Sequence, residues 1–169
     1  MTVELFTPRL SLRKLEPADS PAIGRLYADA RVMQHIQPGG RTETQTAEFL
    51  ARTEKLWSER GFGFLVVRER ESTELIGVGG LLVRQPGGPV EIGYALSEPV
   101  WGRGYATEVT ERLLRWGFEE HGLPRIIAVV LRENLASVRV LEKAGLLPDG
   151  ETAEGALRFA AELIQRSKR

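Results

Sequence analysis

The chain has 169 residues, 42% hydrophobic and 27% charged, which is typical of one soluble globular domain with a substantial core. Its 23 basic and 23 acidic side chains cancel to a formal net charge of zero, so charge predicts affinity neither for nucleic acid nor for membranes. The absence of cysteine excludes disulfides, thiolate metal sites and a cysteine nucleophile, and the lack of a signal-peptide core leads us to expect one cytoplasmic domain over residues 1–169.

The first half of the chain predicts a strand, two helices and a hairpin. Alternating apolar residues over Arg9–Leu15 indicate a strand, which we place at a sheet edge because a proline precedes it. A first helix follows, then a Pro-Gly-Gly loop within Met33–Arg41 and a second helix over Thr42–Arg60. The apolar runs Phe62–Arg68 and Leu75–Val83 predict the hairpin.

The second half of the chain predicts strands that alternate with helices. Val90–Ser97 is a strand, and Arg125–Leu131 is a buried strand that precedes a short helix over Leu135–Ala144. Near the C-terminus, Leu146-Leu147 and Leu157–Ile164 favour closing strands, although the last segment also has fair helical propensity. This order predicts a mixed sheet covered by helices.

A glycine turn joins the strand Val90–Ser97 to the following helix, a geometry that offers free backbone N–H groups to a phosphate. A Walker loop requires Gly-Lys-Ser/Thr, but Gly104 is followed by Tyr105 and Ala106. A dinucleotide fingerprint requires a third glycine where the chain has Thr107. Both of these phosphate loops are therefore excluded.

Four motifs taken together resemble another family. They are the opening TPRLSLRKL of Thr7–Leu15, the strand EIGYAL of Glu91–Leu96, the loop WGRGYATE of Trp101–Glu108 and the pattern N-x-x-S-x-x-x-L-E-K-A-G of Asn134–Gly145. The combination resembles the GNAT family of N-acetyltransferases, and most closely its RimJ and RimL branch. The resemblance covers residues 7–148, which is nearly the whole chain.

The resemblance implies an α/β (α+β) fold. Its mixed, mostly antiparallel sheet would have six to seven strands, about four flanking helices and a V-shaped cleft after the fourth strand. It also implies acetyl-CoA as co-substrate and no metal. Main-chain N–H groups of the glycine loop would bind the pyrophosphate, and the strand before the loop would line a slot for the pantetheine arm. The cofactor-binding residues implied in this way are Tyr94, Ala95, Leu96, Ser97, Gly102, Arg103, Gly104, Tyr105, Ala106, Thr107, Asn134 and Ser137. For Asn134, a role as the N-cap of the following helix is the alternative, and the two roles are compatible.

The resemblance also implies how the reaction is catalysed. The N–H of Leu96 would stabilise the oxyanion. Many members of the family use a tyrosine as the acid where this chain has Leu141, whereas the RimL-like branch has the serine that is Ser137 here. We therefore expect Ser137 to protonate or hydrogen-bond the leaving sulfur.

The base is predicted from the central strand. Strand alternation places Glu91 on the opposite face from Tyr94, where it would take the amine proton directly or through water if that face borders the acceptor. Otherwise Glu91 is a solvated or helix-paired carboxylate on a face of the sheet. Glu151 or Glu154 would serve instead if Glu91 does not. His35 is a weaker candidate, and His121 complements a helix C-terminus.

These observations predict an acetyl-CoA-dependent N-acetyltransferase that acetylates a primary amine by direct, sequential transfer. Acceptors in the resembled branch include protein N-termini, amino acids, polyamines and antibiotics, so we expect a small-molecule or peptide amine and neither nucleic acid nor membrane as partner. Met33–Glu43 and the C-terminal hairpin would shape the acceptor site. A homodimer, common in that branch, stays open. The alternative is a non-catalytic acyl-CoA-binding or sensor domain of the same fold.

Overall fold

One mixed β-sheet runs through the computed structural model, which describes residues 2–164. Its eight strands are β1 (Glu4–Phe6), β2 (Leu10–Lys14), β3 (Phe64–Glu69), β4 (Gly77–Leu82), β5 (Glu91–Leu96), β6 (Arg125–Val130), β7 (Leu147–Glu151) and β8 (Leu157–Glu162). Their order across the sheet is β1-β2-β3-β4-β5-β6-β8-β7. Every neighbouring pair is antiparallel except β5 and β6, which are parallel.

Five α-helices cover the two faces of the sheet: α1 (Ser20–Ala28), α2 (Ala30–Met33), α3 (Glu43–Arg60), α4 (Tyr105–Arg115) and α5 (Leu135–Lys143). Helices α1 to α3 pack on one face, where Tyr27 and Phe49 share a buried cluster with Ala95 of β5. Helix α4 packs on the other face, where Val109 and buried neighbours meet Ile92. Helix α5 lies beside α4 and β6. The two faces of β5 therefore point to different helix layers.

Local sequence signals set the ends of the longest helix. Thr42 and Gln45 form a reciprocal capping box, in which each side chain accepts a hydrogen bond from the backbone of the other at 3.2 and 2.9 Å. The helix ends at Gly61, whose φ of 74° is the left-handed conformation that glycine adopts without strain. Near this end, Trp57 is buried and its indole N–H donates to the carbonyl of Phe64 at 3.1 Å. That bond ties α3 to the start of β3.

Glycines in β4 allow α4 to lie close to the sheet. A Cβ at Gly79 would be only 2.8 Å from a methyl carbon of Val109, closer than real side chains approach. Val109 and Leu113 are fully buried at this contact. The N-terminus of α4 is thereby fixed relative to the C-terminal end of β5.

The predicted fold class is confirmed, with corrections to its parts. The sheet has eight strands rather than six or seven, and five helices rather than about four flank it. Because the additional strand β1 lies at the start of the chain, the strand before the glycine loop is the fifth and not the fourth. The strand predicted over Arg9–Leu15 is present as β2, but its predicted position at the sheet edge is wrong. The three-residue strand β1 pairs with its outer side and forms the edge instead. The strand prediction near Leu157–Ile164 is confirmed by β8.

Two expectations concern the ends of the chain and its relation to membranes. Met1 and residues 165–169 of the predicted domain 1–169 lie outside the described residues, and the single domain stays a prediction. Over residues 2–164, no helix combines the length and the apolar character needed to cross a membrane.

Candidate active site

The parallel strands β5 and β6 are joined at one point and then separate. Their only paired residues within the described chain are Glu91 and Ile127, and the Ile127 N–H donates to the carbonyl of Val90 at 2.9 Å. On its other edge β5 is paired with β4 along its whole length, and the N–H of Ser97 donates to Ile76 at 2.8 Å. We call the opening between the C-terminal halves of β5 and β6 the seam.

The hydrogen-bond alternation of β5 points backbone donors into the seam. In an antiparallel ladder, residues whose N–H faces the neighbouring strand alternate with residues whose N–H faces away. Because Ser97 bonds toward β4, the N–H groups of Tyr94 and Leu96 face the seam. The carbonyl of Leu96 faces the same way and accepts the indole N–H of Trp101 at 2.8 Å. The Leu96 N–H, the predicted oxyanion donor, thus faces the seam.

The glycine loop leads from the seam to the start of α4. Gly102 and Gly104 have φ values of 76° and 80°, a region that residues with side chains seldom adopt. Gly104 is the N-cap of α4, and no side chain among residues 2–164 caps this end of the helix. The first N–H groups of α4, from Tyr105, Ala106 and Thr107, therefore lack a side-chain partner at a positive dipole end.

Residues far from the loop in sequence hold it in place. The guanidinium of Arg9 donates to the Arg103 carbonyl at 2.8 Å and lies 4.6 Å from the centre of the Tyr105 ring. Glu69 at the end of β3 accepts from Arg103 Nη1 at 3.0 Å and from Tyr105 Oη at 2.6 Å. The side chains of Arg103 and Tyr105 thus brace the loop, and the binding of a cofactor by these two residues stays a prediction.

Glu108 in the first turn of α4 completes this bracing. One carboxylate oxygen accepts from the Thr7 hydroxyl and from the Arg9 N–H at 2.9 Å, and the other accepts from Arg9 Nε at 2.8 Å. Burial by itself raises the pKa of Glu108, but the hydrogen bonds from Thr7 and Arg9 outweigh burial and hold the pKa below its ordinary 4.5. Sequence patterns did not reveal this cluster, because its partners are about a hundred residues apart.

A side-chain pair crosses from β5 to α5. Tyr94 Oη and Ser137 Oγ lie 2.8 Å apart, and the Ser137 N–H donates to Asn134 Oδ1 at 3.2 Å. Asn134 therefore is the N-cap of α5, as its alternative role predicted. Burial raises the pKa of the Tyr94 phenol, which the Ser137 hydrogen bond offsets only in part, so Tyr94 stays protonated near neutral pH. Leu141, one turn further along α5, is buried.

Glu91 lies on the other face of β5 and is held by an arginine. Its two carboxylate oxygens accept from Arg84 Nε at 2.7 Å and Arg84 Nη2 at 2.8 Å. The Glu91 side chain is 6% exposed, whereas Arg84 is 67% exposed. The hydrogen bond to Glu91 raises the pKa of Arg84. The predicted base is thus a buried, oriented carboxylate.

A cleft of about 910 Å³ connects these groups. It begins between α3 and the β5 face that carries Glu91, passes the seam, and reaches Asn134 and Ser137 on α5. His35 lines its outer wall. Glu91 and Tyr94 of β5 therefore share one cavity with Asn134 and Ser137, whereas Ala95, Leu96 and Ser97 do not line it.

Several residues that the sequence offered as site candidates have side chains that pack against or bond to other parts of the protein and do not face the cleft. Ser97 Oγ donates to the Ile76 carbonyl at 3.0 Å, and Ala95 is buried under α1 and α3. Glu151, the substitute base, pairs with Arg132. His121 packs edge-on against Trp116 at 4.8 Å, and burial lowers its pKa. In the part of the chain that the structure describes, no three His, Asp or Glu side chains cluster to hold a metal ion.

Known proteins share this sequence and fold. The sequence profile of the acetyltransferase (GNAT) domain matches residues 9–147. An uncharacterized N-acetyltransferase of Bacillus licheniformis is 33% identical over 160 residues, which cover 90% of each chain. The crystal structure of an acetyltransferase from Agrobacterium tumefaciens has a TM-score of 0.84 at 29% identity and covers 95% of this chain and 94% of its own. RimL, a ribosomal alpha-N-protein acetyltransferase solved in complex with coenzyme A, has a TM-score of 0.80 at 19% identity, with 95% and 98% covered.

The shared fold and the matched domain define an acyltransferase enzyme. The chain belongs to the GNAT family of acetyltransferases, and its relatives are named N-acetyltransferases. The family predicted from the sequence motifs is confirmed. RimL shares the fold, and the RimJ and RimL branch stays a prediction.

The bracing of the glycine loop predicts a pH-dependent contribution to stability. A carboxylate whose pKa is lowered by folding stabilises the protein above its ordinary pKa of 4.5, and this stabilisation is lost as the pH falls through the lower, folded value. We expect Glu108→Gln to reduce the free energy of unfolding by about 1 kcal/mol near pH 7, a small value because Arg9 is half exposed. The reduction should shrink toward zero in acid.

Urea unfolding of both proteins between about pH 7 and pH 3 measures this difference. Glu111→Gln, an exposed change on the same helix, is the control and should leave stability unchanged at each pH. A Glu108→Gln deficit that is constant across the pH range would contradict the predicted role of the ionised carboxylate.

Proposed function

We propose that the protein transfers the acetyl group of acetyl-CoA directly to a primary amine, without a covalent enzyme intermediate. The observation that carries this proposal is the seam between β5 and β6, which opens toward a glycine loop and an uncapped helix start. The complex of RimL with coenzyme A supports the choice of cofactor. Two observations support direct transfer: the chain has no cysteine, and one cleft connects Glu91 with Ser137.

The cofactor would lie along β5. Backbone N–H groups of Gly102, Gly104 and the first residues of α4 would bind the pyrophosphate, because negative charge is stabilised at a helix N-terminus. The pantetheine arm would fill the seam beside Tyr94–Ser97, with the amide of Asn134 within reach on α5. The Leu96 N–H, which faces the seam, would donate to the thioester oxygen as its negative charge develops.

The leaving thiolate would be protonated by the pair of hydroxyls at the seam. Ser137 Oγ would give its proton to the sulfur of coenzyme A and take the proton of Tyr94 Oη, which lies 2.8 Å away. A serine hydroxyl is a weak acid by itself, and the Tyr94 phenol is a better source of a proton even though burial raises its pKa above the ordinary value. Tyr94 would thus perform the task that falls to a different tyrosine, at the position of Leu141, in other members of the family.

The attacking amine would lose its proton to Glu91. A lysine-type ammonium has a pKa of about 10 and cannot attack until it is deprotonated. Glu91 faces the cleft from the side opposite Tyr94, and each of its oxygens keeps lone pairs beyond the one that Arg84 occupies. A water between amine and carboxylate would complete the path where direct contact is too long.

The first test is turnover and cofactor binding in the same preparation. Incubation with acetyl-CoA and a panel of amines, followed by an assay of free thiol, should show thiol release with at least one amine. Stabilisation by coenzyme A without thiol release on any amine would instead support an acyl-CoA sensor, which the aliphatic Leu141 at the usual position of the acid also favours. Absence of stabilisation by coenzyme A would overturn both functions.

Gly104→Val tests the site of the pyrophosphate. Valine strains a backbone with φ of 80° and moves the N–H groups at the helix start, so affinity for coenzyme A should fall by about 10- to 150-fold, the equivalent of one charge-assisted hydrogen bond. Gly122→Val is the matched control, because Gly122 also has positive φ but lies beyond the C-terminal end of α4, away from the glycine loop. Calorimetry that shows equal affinity in both variants would remove the glycine loop from the cofactor site.

Ser137→Ala and Tyr94→Phe test the hydroxyl pair. Each should lower kcat by about a hundredfold or more, the usual contribution of general acid catalysis, while the Kd of coenzyme A changes little. The double variant should be no slower than the slower single variant, because the two groups act on one proton. Additive losses, or unchanged kcat in either single variant, would contradict a shared proton path.

Glu91→Gln tests the base through the choice of amine. The variant should lose about a hundredfold in kcat with a lysine-type amine near neutral pH, but much less with a peptide α-amine near pH 9, where about nine-tenths of that amine is already neutral. Arg84→Gln is the control, since it removes the partner and keeps the carboxylate. Equal losses for both amines in Glu91→Gln would show that Glu91 acts only through its pair with Arg84.

A further inference from the structure

The wall of the cleft on the side of α1 to α3 carries an excess of positive charge. Among the basic residues that line it, Lys55 pairs with Glu59 at 3.7 Å and Arg84 pairs with Glu91. The other lining arginines, which are Arg41, Arg52 and Arg60, form no ion pair with any carboxylate of residues 2–164. The acceptor side of the cleft is therefore cationic in a protein of zero net charge.

Arg41 is the most constrained of these arginines. Its guanidinium carbon lies 4.2 Å from the centre of the Tyr27 ring and 4.8 Å from that of Phe49. Its Nη1 is buried and has no hydrogen-bond partner among the described residues. Burial raises the pKa of Tyr27, so the phenol stays neutral and supplies no counter-charge. A guanidinium that is stacked on aromatic rings and has no ion pair within residues 2–164 is held in place to bind an anion.

The loop before Arg41 fixes its place on the wall. Gly40 has φ of 82°, and a Cβ there would lie 2.9 Å from the carbonyl oxygens of Tyr27 and Ala28. The Arg41 N–H donates to the same Tyr27 carbonyl at 2.6 Å. The backbone of the loop thus packs closely against the end of α1, and this contact fixes the position of Arg41 on the wall of the cleft.

Two aromatic rings connect Arg41 to the centre of β5. Phe49 contacts the Phe64 ring edge-on at 5.0 Å, and Phe64 Cζ lies 3.3 Å from where a Cβ would stand at Gly93. Gly93 is on the same face of β5 as Glu91 and next to Tyr94. Arg41 and the strand that would hold the thioester therefore line the same cleft, joined by the packed rings of Phe49 and Phe64.

We propose that the acceptor is a small amine that carries a carboxylate, of the amino-acid class, and that Arg41, assisted by Arg52 on α3, binds that carboxylate. This inference rests on the proposed function, because it names the acceptor for the same cleft. The carboxylate would orient the amine toward Glu91, and the same charges would disfavour polyamines, whose charge is wholly positive. Coenzyme A does not explain the wall, since the glycine loop begins α4, which packs on the opposite face of the sheet.

The first experiment compares matched acceptors in the thiol-release assay. Free amino acids are paired with their carboxamides, which keep the α-amine and lose the charge, and spermidine is the cationic comparison. In the native protein, kcat/KM should favour the best acid over its amide by about 10- to 150-fold, as expected for hydrogen bonds to a charged group. Arg41→Gln should abolish this preference, and Arg52→Gln, an exposed change without risk to folding, should reduce it.

Arg25→Gln is the matched control, because Arg25 is an exposed arginine on α1 outside the cleft. It should keep the native preference. Equal kcat/KM for acid and amide, a preference for spermidine, or a preference that survives Arg41→Gln would each overturn the proposal. Loss of affinity for coenzyme A in Arg41→Gln, without loss of the acid preference, would assign Arg41 to the cofactor and also overturn it.

A second experiment measures binding without turnover. Succinate and inorganic phosphate are titrated into the native protein and the three variants, and thermal unfolding is followed. Succinate should stabilise the native protein and Arg25→Gln but not Arg41→Gln, while phosphate stabilises less. Equal stabilisation of all variants by succinate would overturn the anion site. Succinate binding that depends on Arg41, in a protein that acetylates no amine, would uphold the site and refute the proposed function instead.

Discussion

The single bridge between β5 and β6 is the constraint on which the rest of the site depends. Parallel strands normally continue their ladder, since an unpaired N–H in the interior costs free energy. Here the pairing stops at Glu91 and Ile127, while β4 and β8 hold β5 and β6 on their outer edges. The backbone groups left between them are available to a ligand that pairs like a strand. The candidate cofactor site is thus a gap in a sheet, held between the strands on either side of it.

In the proposed function, the two faces of β5 separate the chemical tasks. Side chains on the α4 face, such as Tyr94, would meet the leaving group, and those on the other face, such as Glu91, would meet the attacking amine. Strand alternation is enough to produce this division, because successive side chains point to opposite faces. A strand buried between two helix layers can in this way present different side chains to two substrates.

Much of this arrangement could be predicted from the sequence, since strand alternation and helix signals are local. β5 and the glycine loop were located correctly for that reason. β1 was missed because three residues contain too little pattern, and β8 was ambiguous because its residues also suit a helix until pairing with β6 decides. The hydroxyl pair of Tyr94 and Ser137, and the stacking of Arg41, join residues that only the tertiary fold brings together, and no spacing rule reports such contacts.

The indole of Trp101 also has an optical consequence. It is 46% exposed and hydrogen-bonded to the Leu96 carbonyl at the mouth of the seam, whereas the other two tryptophans, Trp57 and Trp116, are buried with ring centres 5.6 Å apart. A molecule that enters the seam changes the solvent around one indole and leaves the other two in place. The protein therefore contains an intrinsic fluorophore, Trp101, at the entrance to its candidate cofactor site. The buried pair of Trp57 and Trp116 provides a constant reference signal.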